Sequence, residues 1–205
     1  MQLQNILNPK HTAVLVIDLQ KDFIDDDGKL AKSGQNIASM QAILRPIRKL
    51  VSVARQKNTP IIFTQMIDGL KYRNEVGRYR FSKKEKQEKN VCVLEGTEGT
   101  KMVGVLPAKK DKIVVKHNYC SFHNTELDSY LKKKRIKSLI VVGVKTNACV
   151  ETTIRNAYHK GYFVVVPQEC VASNSQESHR ISLKNIQRYF GDVLALDKIL
   201  KIWTN

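Results

Sequence analysis

The 205-residue sequence predicts an α/β fold in which a parallel sheet lies between two layers of helices. Six short apolar segments alternate with segments of helical periodicity, the pattern of successive β–α units. Several of these segments are apolar almost throughout, as expected for strands covered on both faces. The predicted architecture is a three-layer α/β/α, Rossmann-like fold with a six-stranded parallel sheet. We expect residues 1–205 to form a single domain.

The predicted strands and helices follow one another regularly. The strands are Thr12–Ile17, Pro60–Thr64, Lys112–Val115, Ser138–Gly143, Tyr162–Pro167 and Asp192–Leu196. The helices are Asn36–Lys57, Thr125–Lys134, Cys149–Lys160, Gln176–Phe190 and Lys198–Trp203. Pro46 is expected to kink or restart the first helix, and Gly161 to be the C′ residue of the third. Gln65–Leu106 is polar, basic and weakly periodic, which predicts a long excursion with short elements.

Composition limits the classes of protein to which the chain can belong. Hydrophobic residues make up 42% and charged residues 26%, an ordinary globular composition. No apolar run approaches the roughly 20 residues of a membrane helix, and residues 1–10 lack the apolar region of a secretory signal. Four scattered cysteines without a C-x-x-C pair favour free thiols. We therefore expect a soluble cytoplasmic protein.

The net charge of +16 is the unusual feature of the composition. Much of the excess lies in lysine-rich clusters at residues 83–89, 109–112 and 132–137. Such clusters can attract nucleic acid or small anions, but no arginine-rich arm or helix-turn-helix accompanies them. Solvated helix faces and loop edges explain them more simply, and nucleic-acid binding is not expected.

The carboxyl ends of the predicted strands bring polar residues to one edge of the sheet, where such folds bind ligands. Asp18 follows the first strand, Gln65 the second and Lys116 the third. Cys149 follows the loop after the fourth strand and begins a helix. An acid, an amine and a thiol at three strand ends predict a compact triad of Asp18, Lys116 and Cys149.

Cys149 is the candidate nucleophile of this triad. The free N–H groups and partial positive charge of a helix N-terminus favour a thiolate, lower the pKa of a cysteine and can hold an oxyanion. Asp18 is the candidate general base and Lys116 the cation that holds the charge. Each residue alone also has a structural explanation: a small buried side chain for Cys149, a cap or hydrogen-bond acceptor for Asp18, and a surface charge for Lys116.

His117, Cys120 and His123 offer an alternative site, because histidine and cysteine three residues apart can bind zinc. They lie in a short loop, and no fourth ligand has an obvious spacing. We therefore expect no metal site and no cofactor.

Two longer motifs resemble a known family. Thr12–Asp25 reads TAVLVIDLQKDFID, and Val141–Ser173 reads VVGVKTNACVETTIRNAYHKGYFVVVPQECVAS. Both are similar to the isochorismatase-like cysteine hydrolases, which include nicotinamidases, N-carbamoylsarcosine amidases and ureidoacrylate amidohydrolases. The resemblance covers nearly the whole chain, and Lys116–Ile136 is most similar to the ureidoacrylate branch.

The resemblance implies the same fold and a set of site residues. Carried over by motif, Asp18 resembles the general base, Lys116 the charge-stabilising lysine and Cys149 the nucleophile. The family also has a cis peptide before the residue that matches Lys145. This peptide would turn the Lys145 N–H toward the site, beside that of Cys149, as an oxyanion hole.

Three further residues are expected to contact the substrate. Phe23 and Tyr119 would form aromatic walls, and Gln65 would supply a polar contact. Packing explains each of them equally well.

Departures from the family pattern narrow the expected chemistry. Nicotinamidases carry an Asp-x-His motif and later histidines that bind a metal, whereas no histidine lies between Gln65 and Lys116. True isochorismatases cleave a vinyl ether without the cysteine nucleophile. Met66 stands where the ureidoacrylate branch has a polar residue. The sequence therefore predicts an enzyme that hydrolyses a C–N bond of a small amide or carbamoyl (ureido) compound through a thioester, without a metal.

Two other functions stay open at this point. One is ether hydrolysis of a chorismate-like anion, which the positive charge would suit. The other is a non-catalytic scaffold that binds a polyanion through the lysine clusters, although such a binder has no need of the triad. Members of the family are commonly oligomeric, so the resemblance also implies a homodimer or homotetramer.

Overall fold

The computed structural model describes residues 2–85 and 91–204, with side chains for 2–80 and 91–204. The predicted lysine cluster at residues 83–89 lies outside the described side chains. The strands are β1 (Thr12–Ile17), β2 (Ile61–Met66), β3 (Lys112–Lys116), β4 (Ser138–Val144), β5 (Phe163–Pro167), β6 (Val171–Ala172) and β7 (Asp192–Leu194). The helices are α1 (Leu3–Ile6), α2 (Lys21–Ile24), α3 (Lys29–Lys32), α4 (Ala38–Ala42), α5 (Leu44–Gln56), α6 (Glu75–Glu85), α7 (Leu127–Lys133), α8 (Glu151–His159), α9 (Gln176–Tyr189) and α10 (Leu196–Thr204).

The described strands form one parallel sheet, which confirms the predicted fold class. Six of them lie in the order β3-β2-β1-β4-β5-β7, and the two-residue strand β6 pairs with the end of β4. Strand order reverses between β1 and β4, so that a crevice opens beyond their carboxyl ends. The sequence did not predict β6 because two residues are too short to show a period. That the chain is a single domain stays a prediction.

The two central strands account for the clearest sequence signal. Every residue of β1 and of β4 is buried, as expected for strands covered on both faces. At the edge of the sheet, β3 instead alternates, and its Ile113 and Val115 are exposed. The strength of each apolar run in the sequence therefore follows the depth of the strand in the sheet.

The first predicted helix is two helices, α4 and α5, which meet at Ile43. Pro46 is the third residue of α5, in the first turn, where the missing N–H costs no intrahelical hydrogen bond. The restart therefore comes three residues before the proline that was expected to cause it. Gly161 is confirmed as the C′ residue of α8, with a φ of +84° and an N–H that donates to the Tyr158 carbonyl.

The excursion after β2 is tied to the segment that follows β1. The Gln20 side-chain amide donates to the carbonyl oxygens of Met66 (2.8 Å) and Thr100 (2.9 Å). The buried Asp22 carboxylate accepts the Val93 N–H at 2.6 Å. Polar residues of the first motif thus hold the excursion over the carboxyl edge of the sheet.

The two described lysine clusters lie at the opposite edge. Residues 109–112 lead into β3, and residues 132–137 join the end of α7 to β4, so both clusters precede their strands. Lysines at the end of α7 also complement the partial negative charge of a helix C-terminus. Among the described helices, none has the length and apolarity needed to cross a membrane.

Candidate active site

Asp18 and Gly143 shape the carboxyl ends of the two central strands. Asp18 follows β1 with a φ of +52°, a left-handed conformation that aspartate adopts more readily than most residues. Gly143, in β4, has a φ of +116°, and a Cβ there would lie 2.1 Å from the Ile17 carbonyl oxygen. A glycine is therefore required where β4 passes the residue before Asp18.

A buried ion pair joins the ends of β1 and β3. Asp18 Oδ2 lies 2.7 Å from Lys116 Nζ, and both side chains are fully buried. The Thr64 hydroxyl donates to Asp18 Oδ1 at 2.6 Å. Lys116 Nζ also donates to the carbonyl oxygens of Asn118 (3.0 Å) and Tyr119 (3.3 Å). These contacts fix the orientation of both charged groups and compensate for the loss of water around them.

Cys149 completes the group. It lies in a π-helical turn, Thr146–Val150, that joins β4 to α8. Its thiol lies close enough to Asp18 and Lys116 for both side chains to act on its pKa. The structure therefore brings together the three residues that the sequence places at separate strand ends, while their catalytic roles stay predictions.

The thiol is protonated in the resting site. Burial raises the pKa of Cys149 to about 12; the Lys116 ammonium lowers it in part, and the Asp18 carboxylate raises it again. Burial lowers the pKa of Lys116, but the Asp18 carboxylate, and Cys149 in its ionised form, outweigh this effect and leave that pKa raised. The lowered cysteine pKa expected from the sequence is therefore wrong, because burial and a neighbouring carboxylate outweigh a helix N-terminus.

We expect alkylation of Cys149 by iodoacetamide to keep accelerating up to at least pH 10, because only the thiolate reacts and the resting thiol has a raised pKa. The rate is measured by mass spectrometry of the Cys149 peptide. N-acetylcysteine amide serves as the reference, since a free thiol has a pKa of about 8.5. A rate that levels off below about pH 8 would show instead a thiolate that exists before substrate arrives.

The backbone before Cys149 borders the cavity. The peptide bond between Val144 and Lys145 is cis. Lys145 and Cys149 both line the cavity at this edge of the sheet. The Lys145 N–H donates no hydrogen bond to another described residue, so it is available to a ligand. Its role as an oxyanion donor stays a prediction.

A cavity of about 840 Å³ leads to Cys149. Asp18 and Lys116 are not among its lining residues, so Cys149 is the triad member that faces the ligand. The volume suits a small metabolite. The carboxylate and the ammonium are fully buried behind the sulfur in the resting site.

Two of the three predicted substrate contacts lie at this cavity. Phe23 and Tyr119 line it. Gln65 does not; its amide donates to the Thr100 carbonyl at 2.9 Å. The expectation for Gln65 is corrected accordingly: the side chain holds the excursion in place instead of reaching the ligand, because β2 runs two residues further than predicted and ends at Met66.

The three candidate zinc ligands have different surroundings. The His117 ring stacks on Tyr72 with centroids 3.5 Å apart, and its Nδ1 donates to the Ile67 carbonyl at 2.8 Å. Cys120 is buried, whereas His123 is exposed at the cavity. Among the described residues, no group of three histidine, cysteine or acidic side chains is arranged to hold a metal ion.

The excursion contributes residues that the sequence did not indicate. Asp68 and Arg73 form a largely buried ion pair at the cavity, with Arg73 Nε 2.9 Å from Asp68 Oδ1. Arg80, from α6, lines the same cavity. No periodic pattern in the sequence indicates these residues. They lie at the site because the excursion folds over the edge of the sheet.

Comparison with known proteins supplies the family. The sequence model of the Isochorismatase domain matches residues 12–198 of the chain. The chain belongs to the isochorismatase domain family. The resemblance of its two long motifs is thereby confirmed.

Individual relatives of this isochorismatase-domain protein agree with the assignment. The ureidoacrylate amidohydrolase RutB of Enterobacter sp. (strain 638) is 30% identical over 195 residues, 89% of this chain and 85% of the relative. A cysteine hydrolase from Pseudomonas syringae pv. phaseolicola 1448A is 28% identical, with a TM-score of 0.83 over 96% of this chain and 94% of that chain. The pyrazinamidase/nicotinamidase of Streptococcus mutans UA159 is 29% identical, with a TM-score of 0.74 over 89% and 99% of the two chains. Two of these relatives are named for hydrolysis of non-peptide C–N bonds, as an amidohydrolase and as a pyrazinamidase/nicotinamidase, and the third is named as a cysteine hydrolase.

Proposed function

We propose that this isochorismatase-domain protein is a cysteine hydrolase that cleaves the C–N bond of a small amide or ureido compound through a thioester, without a metal. The observation that carries the proposal is the Cys149 thiol at the cavity, with its pKa under the influence of the fully buried Asp18–Lys116 ion pair. The relatives named for amidohydrolase and amidase activity support the same bond type. Assembly into a dimer or tetramer stays a prediction.

The first step joins the substrate carbonyl to the sulfur. Asp18 accepts the Cys149 proton as the S–C bond forms, so a free thiolate need not accumulate. Lys116 stays cationic and stabilises the negative charge that develops. The N–H groups of Lys145 and Cys149 hold the oxyanion, and each such donor contributes about 2.7–4 kcal/mol to lowering a barrier of this kind.

The second step releases nitrogen and restores the enzyme. Protonated Asp18 gives its proton to the departing ammonia or amine as the C–N bond breaks, which leaves a thioester on Cys149. Asp18, again a carboxylate, then takes a proton from water, and the hydroxide formed attacks the thioester. Cleavage of the C–S bond returns the proton to the sulfur. The product is a carboxylic acid from an amide, or a carbamic acid from a ureido compound.

The positions of the lysine clusters do not favour a polyanion-binding scaffold over the proposed hydrolase. Residues 109–112 and 132–137 precede their strands, whereas Asp18, Lys116 and Cys149 lie at the carboxyl edge. If the protein only bound a polyanion through those clusters, the buried ion pair and the nearby thiol would have no role in its function. Their charge is explained by solvated loops and helix ends.

The test is an ammonia-release screen with purified protein. Its panel contains ureidoacrylate, N-carbamoyl amino acids, nicotinamide and a chorismate-like vinyl ether, each with and without EDTA. We expect ammonia from at least one amide or ureido compound, undiminished by EDTA, and an acid-trapped adduct on the Cys149 peptide. Cleavage of the vinyl ether alone would replace the proposal by ether hydrolysis. If EDTA abolished the release of ammonia, the proposal that the reaction needs no metal would be wrong.

A further inference from the structure

The cavity carries more positive than negative charge. Its described lining includes three cations, Arg73, Arg80 and Lys145, but one carboxylate, Asp68. Arg73 already forms a two-point contact with that carboxylate, through Nε and Nη2. Arg80 and Lys145 form no ion pair with a described carboxylate. Two positive charges in the cavity therefore lack a counter-charge among the described side chains.

The pKa of Tyr119 responds both to these charged side chains and to the nucleophile. Burial raises the pKa of its hydroxyl, the charges of Cys149 and Asp68 raise it further, and Arg73 and Arg80 oppose them. The Tyr119 hydroxyl is thus within electrostatic range of Cys149 and of Arg80, and all three line one cavity. Arg80 therefore faces the same ligand space as the sulfur.

We propose that the substrate is a carboxylate: its scissile carbonyl lies at Cys149, and its carboxylate, at the other end, binds Arg80 in the field of Lys145. The inference rests on the proposed function and deepens it by naming the class of substrate. The guanidinium group of arginine is planar and matches a carboxylate with two parallel hydrogen bonds. Asp68 repels a doubly charged phosphate more than a carboxylate, which favours the singly charged group.

Arg80 is the specificity residue in this arrangement, because Arg73 is held by Asp68. The Asp68–Arg73 pair forms part of the cavity wall and is largely shielded from solvent. Arg80 is exposed to the cavity from α6, and it can close on a carboxylate without first breaking an ion pair to a described residue. Lys145 adds charge close to the sulfur, four residues before it in the chain.

The experiment compares two thiol reagents of matched size, 3-maleimidopropionate and N-propylmaleimide. Each is added to the protein, and the rate of labelling is measured by mass spectrometry on the Cys149 peptide. The ratio of anionic to neutral rates is then divided by the same ratio for N-acetylcysteine amide. We expect a normalised ratio of roughly ten, since about 1.4 kcal/mol of charge attraction corresponds to tenfold.

Variants assign this selectivity to a residue. Arg80→Gln is expected to lower the normalised ratio toward one, and Arg80→Lys to retain part of it. Arg78→Gln is the matched control: it removes an equal charge from the same helix, but Arg78 does not line the cavity. Arg78→Gln is expected to keep the wild-type ratio.

Three outcomes would overturn the proposal. A wild-type ratio of one means that the cavity does not select anions, and equal losses in Arg80→Gln and Arg78→Gln mean that only overall charge acts. A ratio that persists in Arg80→Gln places the anion elsewhere. Labelling requires no turnover, so charge selectivity can be measured even if the ammonia screen rejects the proposed hydrolysis.

Discussion

Replacing Cys149 by alanine is expected to lower kcat/KM for the substrate found by the ammonia screen by about 10⁴-fold or more. The sulfur is the one triad atom that faces the cavity, so neither Asp18 nor Lys116 can attack the carbonyl in its place. Cys149→Ser is expected to lose nearly as much, because a hydroxyl is harder to deprotonate than a thiol. Steady-state ammonia release and intact-protein mass measure the rate and the missing adduct.

Cys170→Ala is the matched control for this substitution. Cys170 is also a free, fully buried cysteine, and burial raises its pKa to about 12 as well. It lies before β6 and does not line the cavity, so the variant is expected to retain turnover. Hydrolysis by Cys149→Ala at close to the wild-type rate would disprove the nucleophile assignment. Equal losses in both variants would attribute the effect to packing.

The sequence predicts the sheet better than it predicts the excursion. The sequence predicts the bounds of β1, Thr12–Ile17, to the residue, because every position of this strand is buried and the apolar run has no interruption. Residues 65–106 gave no comparable signal. Their order depends on contacts with distant residues such as Gln20 and Asp22, which no local pattern records.

The sequence likewise predicts one part of the candidate site and not another. Parallel strands end at one edge, and this rule alone places Asp18 and Lys116 together, where the structure has them 2.7 Å apart. The protonation state of Cys149 could not be predicted, because the helix N-terminus is a local feature whereas burial is not. Arg80 could not be found either, since its place at the cavity depends on how the excursion folds over the sheet edge.

Lys116→Met is expected to destabilise the protein by about 3–5 kcal/mol, as is usual when one partner of a buried pair is removed. The variant leaves the Asp18 carboxylate fully buried, with the Thr64 hydroxyl still donating a hydrogen bond to it at 2.6 Å. Hydrolysis is also expected to fall by about 10²-fold or more, because the ammonium no longer stabilises developing negative charge. Urea denaturation and ammonia release at pH 7 measure the two effects.

The double variant Asp18→Asn/Lys116→Met separates stability from catalysis. With both charges removed, most of the lost stability is expected to return, since a buried pair often contributes little beyond neutral side chains of similar size. Hydrolysis is not expected to return with stability, because no base remains in the double variant. Lys49→Met, which breaks the exposed pair with Asp197, is the control and should cost less than about 1 kcal/mol. A double variant as unstable as Lys116→Met would show that packing, not charge, makes the pair necessary.

Alkaline pH gives an independent test of the same ion pair. The pKa of Lys116 is raised from 10.5 in the folded protein, so the stability that its ammonium contributes is fully present below pH 10.5. This contribution is lost as the pH rises through the folded-state pKa, because the folded lysine then gives up its proton. The difference in unfolding free energy between wild type and Lys116→Met is therefore expected to be constant near neutral pH and to narrow above pH 10.5. A difference that already narrows between about pH 7 and 9 would mean that Lys116 loses its charge below the ordinary lysine pKa, and that it cannot serve as the cation of the site.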